Sequence, residues 1–164
     1  MTSFLKIQPL TRAGFAPFGE VIETQGSCRF AINAGFAERF HDLARIDVTA
    51  SGGRPLLNIF RAQPRPAPLR LTLMERHPLA SQALFPLQDR DWLIVAAVGQ
   101  DPCSAQALRA FRASGRQGVN YAPGAWHHPL IVLTPDHEFL VIDRDGEGVN
   151  LEEAPFVTEV ILDL

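Results

Sequence analysis

The chain has 164 residues, enough for one domain and a substantial core without covalent staples. Apolar residues make up 46% and charged residues 20%, which excludes a disordered chain. The 15 Lys and Arg against 18 Asp and Glu leave a net charge of −3, too little to hold nucleic acid or an anionic membrane. The apolar start of the chain is broken at Lys6, so no signal-peptide core is expected, and the longest apolar run, Trp92 to Val98, is far short of a membrane span. Cys28 and Cys103 have no partner spacing for a zinc site or a disulfide framework, which fits a reducing cytoplasm.

In chain order, Thr11–Phe15 predicts a single helical turn capped by Thr11. Strands are expected at Val21–Thr24, Arg29–Ile32, Leu56–Arg61, Leu69–His77, Gln82–Leu87, Trp92–Val98, Pro129–Leu133, Phe139–Asp143 and Phe156–Leu162. Pro64–Pro68 is a proline-stiffened connection. Ser104–Arg112 suits either a helix or a strand, and Pro135-Asp136 and Asp145-Gly146 read as turns. With 12 Gly and 13 Pro scattered between short β-branched and aromatic runs, the fold class is all-β with few short helices. A chain of this kind must close or cover its sheet edges, as a barrel, jelly roll or sandwich. Its chemistry is to be sought where a polar residue interrupts an inward, apolar alternation.

Two segments meet that description. In the first, Leu69, Leu71 and Leu73 set an inward face that Glu75 and His77 continue, and Gln82 opens the next strand. The second is Gly118-Val-Asn-Tyr-Ala-Pro-Gly-Ala-Trp-His-His-Pro129, with a tight turn at Pro123-Gly124. There His127 is expected to enter the cavity, and His128 to face outward or into a partner. For each segment the bland alternative is a polar strand end at the surface.

Glu75-x-His77-x4-Gln82 and Pro123-Gly-x-x-His127 resemble the paired motifs of the cupin family. That resemblance implies a double-stranded β-helix, a jelly-roll barrel, over residues 1–164. It also implies a metal set of Glu75, His77, His127 and Gln82, if a metal is used, with a divalent ion such as Ni2+ suiting two imidazoles and one carboxylate. Gln82 stands where the family motif has Glu.

The whole chain resembles the ureidoglycolate lyase family more narrowly. The resemblance runs through Phe18-Gly-Glu-Val-Ile22, Ile32-Asn-Ala-Gly35, Glu38–Leu43, Arg61-Ala-Gln-Pro64, Glu75-Arg-His-Pro-Leu79, Arg109-Ala-Phe111, Gln117–Tyr121, Trp126-His-His-Pro-Leu130 and Ile142-Asp-Arg144. It implies a homodimer that releases urea from ureidoglycolate and leaves glyoxylate. Such a reaction needs a base at the carbinol hydroxyl, an acid at the leaving nitrogen and a cation for the carboxylate. His127 or His77 suits the base, and Glu75 can orient an imidazole or act itself. Tyr121 can donate to a developing oxyanion. Gln82 matches a ureido group, and Arg61 is the carboxylate cation favoured over Arg76 and Arg144. Asn33, His41 and Trp126 complete the candidate set, with Asn33 and His41 covering the site from a loop or a second subunit. Two other classes remain open: a metal-dependent cupin dioxygenase or isomerase acting on another small hydroxy acid, and a non-catalytic cupin that senses a small carboxylate.

Overall fold

A computed structural model describes residues 2–164. Its strands in chain order are β1 (Ser3–Pro9), β2 (Gly19–Ile22), β3 (Cys28–Ile32), β4 (Ala37–His41), β5 (Arg54–Ala62), β6 (Leu73–Arg76), β7 (Gln82–Pro86) and β8 (Trp92–Ala97). They continue as β9 (Leu108–Ala113), β10 (Gly118–Tyr121), β11 (Trp126–His127), β12 (Ile131–Val132), β13 (His137–Asp145), β14 (Glu152–Pro155) and β15 (Val160–Asp163). The one α-helix among the described residues, α1 (Arg12–Phe15), begins as expected, with the Gly14 N–H donating to the Thr11 hydroxyl.

The larger sheet runs β14-β6-β11-β8-β9-β1-β15, with β12 also on β8, and the smaller runs β2-β10-β7-β13-β5. They face each other across a core of Phe15, Phe18, Leu84, Trp92, Ile94, Phe111, Val119, Phe139 and Val141. The result is the cupin-like barrel expected of an all-β chain whose edges must be covered. Strand β8 is buried on both sides. Trp92, Ile94 and Ala96 enter this core, while Leu93, Val95 and Ala97 join a second cluster on the outer face with Leu69, Leu71, Met74, Val160 and Leu162. No helix among the described residues is long and apolar enough to cross a membrane.

The expected strand Leu69–His77 is corrected to Leu73–Arg76, and the cause fixes which way its side chains face. Leu69 and Leu71 belong to the outer cluster, but so does Met74, not Leu73. The alternation therefore slips by one residue. The slip falls at Thr72, whose N–H donates to the His128 ring (3.3 Å) and whose carbonyl accepts from Phe156 N–H. Glu75 and His77 consequently face away from Leu69 and Leu71, into the barrel, rather than continuing their face.

Other boundaries move as well. Of Phe156–Leu162 only Val160–Leu162 is strand, within β15, Pro129–Leu133 shrinks to Ile131–Val132, and of the ambiguous Ser104–Arg112 the part Leu108–Arg112 is strand, within β9. Strands β3 and β4 form a separate hairpin, an arm paired with neither sheet.

Candidate active site

The site is assembled by cross-strand register. In an antiparallel ladder, opposed residues point to the same side. His127 is opposed by Ala96 on one flank and Glu75 on the other, so all three face the barrel interior. On the opposing sheet Tyr121 is opposed by Gln82 and by Gly19. Gly19 is required there: its φ is +145°, and a Cβ would fall 1.9 Å from the Asn120 carbonyl oxygen. Strand β2 can close on β10, and so hold Tyr121 in place, only with glycine at that position.

Between the sheets the sequence-predicted residues Glu75, His77, Gln82, Tyr121 and His127 converge. Glu75, Gln82, Tyr121 and His127 line a narrow interior cavity with His128, Phe60, Leu84 and Trp92. The Tyr121 ring stacks on His127 at 3.9 Å between centroids and 9° between planes, and His77 lies 5.4 Å from His127. His127 Nε2 is 3.5 Å from Glu75 Oε1.

Both imidazoles are held in one tautomer. His127 Nδ1 lies 2.9 Å from the Ala125 carbonyl, and His77 Nδ1 lies 2.8 Å from the Asn150 carbonyl. A carbonyl only accepts, so each Nδ1 carries the proton and each Nε2 keeps a lone pair. Both Nε2 atoms are buried with no hydrogen-bond partner among the described residues. The turn that supplies Ala125 is the predicted Pro-Gly turn. Gly124 has φ +76°, and its N–H donates to the His77 carbonyl, tying the two motifs together.

Burial acts to raise the Glu75 carboxyl, but the adjoining His127 and His77 imidazoles, when protonated, outweigh it and hold Glu75 below its ordinary range. Burial, helped by the Glu75 charge, holds the Tyr121 phenol well above its ordinary value, so it remains a donor. His128 is neither outward-facing nor free. It is 3% exposed, its Nδ1 hydrogen donates to the Pro129 carbonyl (2.7 Å), and its Nε2 accepts from Thr72 N–H. Burial pushes it down to about 4.

The donor set fits a divalent metal. Glu75, His77 and His127 each offer a ligand atom, all within 4.8 Å of one another, and the two orphaned Nε2 atoms are the kind of group an ion satisfies. Gln82 lines the same cavity, its amide offering a neutral oxygen.

Other candidates stand elsewhere. Arg61 is out of phase with the inward Asn58 and Phe60, and on the outer face it pairs with Glu138 at 2.6 Å. Trp126 packs with the outer cluster beneath the Arg76 guanidinium, 4.6 Å from its ring centre. Arg144 donates to the carbonyls of Ala50 and Glu147. Asn33 sits at the tip of the arm, with φ 53°, and His41 at its base. Sequence reasoning missed Asn150, whose carbonyl locks His77 and whose side chain accepts from Leu79 N–H. It also missed Asn58 and Asp143, inward-facing neighbours of this cluster.

A family model described as ureidoglycolate lyase matches residues 2–163. A ureidoglycolate lyase of Burkholderia mallei (strain NCTC 10229) is 58% identical over 149 residues, covering 91% of this chain and 87% of the relative. One of Burkholderia cepacia is 53% identical over 156 residues, covering 94% and 87%. A protein of Rhizobium meliloti (strain 1021) named ureidoglycolate lyase 1 is 52% identical over 153 residues, covering 93% and 89%. Similarity of that depth across nearly the whole barrel, cluster included, means that the chain belongs to the ureidoglycolate lyase family.

Proposed function

We propose that this protein cleaves (S)-ureidoglycolate to glyoxylate and urea, by acid–base elimination within the chamber between the two sheets, as a step of allantoin and purine breakdown. The observation that carries the reading is the pair of buried Nε2 lone pairs beside a carboxylate, in a chain of this family. His127 Nε2 takes the proton of the carbinol hydroxyl. Glu75, 3.5 Å away, stabilises the imidazolium that results. As the hydroxyl oxygen becomes the aldehyde oxygen, the Tyr121 phenol donates to its developing charge. The electrons of the breaking carbon–nitrogen bond leave on the ureido nitrogen, which takes back a proton and departs as urea. His77, held by Asn150 in the same tautomer as His127, is the second group able to carry that proton. Gln82 has both a donor and an acceptor for the ureido amide.

Glu75, His77 and His127, with Gln82 as the neutral fourth ligand, would hold a divalent ion such as Ni2+. A bound ion would supply a Lewis acid for the substrate's oxygens. The protein acts in the cytoplasm, as its two unpaired thiols suggest.

It works as a homodimer. An isolated two-stranded hairpin is marginal in water, yet β3–β4 pairs with neither sheet and exposes Phe30 and Phe36. The same chain leaves Leu57 and Ile59 bare on the outer face of β5, and a symmetric pair can cover arm and face together. In such a pair Asn33, remote from the chamber of its own chain, would act on the partner's. Light scattering is expected to give twice the 18.1 kDa chain mass.

The decisive assay follows products from (S)-ureidoglycolate with and without chelator. One urea per glyoxylate, with ammonia appearing only after urease is added, supports the reading. Ammonia released directly would make the protein an amidohydrolase, and saturable glyoxylate binding without turnover would make it a sensor.

A further inference from the structure

Beside the chamber stands a second polar pair, Asp143 and Asn58, that the steps above do not use. Strand β13 alternates His137, Phe139, Val141 and Asp143 toward the interior, and Phe139 and Val141 are fully buried in the core between the sheets. Asp143 is the next residue on that face. Register places it in the row of groups already described. Ile142 is opposed by Ala83 on β7, so one step along the antiparallel ladder Asp143 stands beside Gln82, and Gln82 is in turn opposed by Tyr121. The row Asp143, Gln82, Tyr121 therefore spans the smaller sheet and faces Glu75 and His127 on the larger.

Asn58 lies diagonally across from Asp143 on the same face, opposed by Val141, and its Nδ2 donates to Asp143 Oδ1 at 3.1 Å. Asp143 Oδ2 has no side-chain partner among the described residues. A half-buried carboxylate oriented by a single side-chain amide, with the His77 imidazole nearby, keeps acceptor capacity to spare. It is a good receptor for a pair of adjacent N–H groups, because a planar carboxylate matches two parallel donors. The ureido end of ureidoglycolate presents such a pair.

We propose that Asp143, oriented by Asn58, receives the N–H groups of the substrate's ureido end and so selects urea as the leaving group. This assignment rests on the ureidoglycolate reading and adds to it. The hydroxyl of the substrate then lies toward His127, and the ureido end toward β13, with the Gln82 amide between them. Burial pushes the Asp143 carboxyl above its ordinary value, as expected of a carboxylate short of donors. Two N–H donors from a ligand would relieve that shortage.

The two products report on the two ends of the chamber, which makes the assignment testable. Urea and glyoxylate are each used as inhibitors of wild type, Asp143→Asn and Asp143→Ser, with urea kept below denaturing concentrations. The inhibition constant for urea is expected to rise about tenfold or more in both variants, the loss typical of hydrogen bonds to a charged group. That for glyoxylate should stay within about twofold, showing that the variants are folded, and KM for ureidoglycolate should rise more than kcat falls. Asn58→Ala should weaken urea in the same direction by less. Unchanged urea inhibition in both Asp143 variants would overturn the assignment. Urea binding is also titrated by NMR shifts on the same proteins, without turnover. An inactive wild type would thus defeat the lyase reading, while the titration judges Asp143 separately.

Discussion

Two neighbouring histidines beside one cavity show how differently one residue type can be used. His128 spends both ring nitrogens, one on the Pro129 carbonyl and one on the Thr72 amide, and it is the tie at which the Leu69–Arg76 segment slips phase. His127, on the inner face, spends only Nδ1 and leaves Nε2 orphaned 3.5 Å from a carboxylate. A buried polar atom without a partner is costly. A fold that keeps two of them, on His127 and His77, next to Glu75 holds them for a ligand or a proton. Burial alone does not separate His127 from His128; what each ring nitrogen touches does.

That contrast can be broken or sharpened by substitution. The largest effect short of removing His127 is expected at Glu75. Glu75→Gln keeps the shape but removes the charge that stabilises the imidazolium, and kcat should fall about 10²-fold with the melting temperature little changed. At His128 the balance reverses. His128→Ala leaves the Thr72 amide unpaired and opens a void, and should cost about 2–4 kcal/mol of unfolding free energy in denaturant titrations. Its turnover, measured well below the melting temperature, should stay within a few-fold of wild type.

The same residue sets a pH response. His128 is held down to about 4 against an unfolded value of about 6.5. The unfolded chain therefore binds more protons between those values, so stability is intact above about 6.5 and is lost as pH falls toward 4. Urea-midpoint measurements from pH 7 to 4 should show that decline, and His128→Gln should flatten part of it. Glu75, also held below its ordinary range, loses its contribution in the same direction but in a lower window. The smallest effect is expected at Arg61, which faces outward onto Glu138: Arg61→Ala should leave kcat/KM within about twofold, if the chain's own chamber is the catalytic unit.

The barrel and most of the cluster were legible because both follow from alternation. Tyr121 and His127 follow a glycine-marked strand and a Pro-Gly turn, and Gln82 opens a strand whose next residues are buried. Glu75 and His77 are inward, but not because they extend the face of Leu69 and Leu71; the Thr72–His128 bond that breaks the phase joins residues 56 apart and leaves no local mark. Arg61 could not be oriented from sequence because β5 is apolar on both faces, Leu57 and Ile59 outside and Phe60 inside. Asn150 reaches His77 across 73 residues through a loop, which no spacing rule anticipates. Asp143 is the reverse case. Phe139-x-Val141-x-Asp143 carries the same sign as the other site strands, a polar residue ending an inward apolar run, and in Leu56-x-Asn58-x-Phe60 a polar residue interrupts one.

The most direct test of the whole account is urea release from (S)-ureidoglycolate by wild type, His127→Ala and His128→Ala, assayed side by side with circular dichroism to confirm folding. Wild type and His128→Ala should turn over, and folded His127→Ala should fall by about 10³-fold, within the range for a lost general base. Equal losses in the two variants, or a folded His127→Ala that keeps most of its turnover, would contradict the assignment of the inner imidazole to the chemistry.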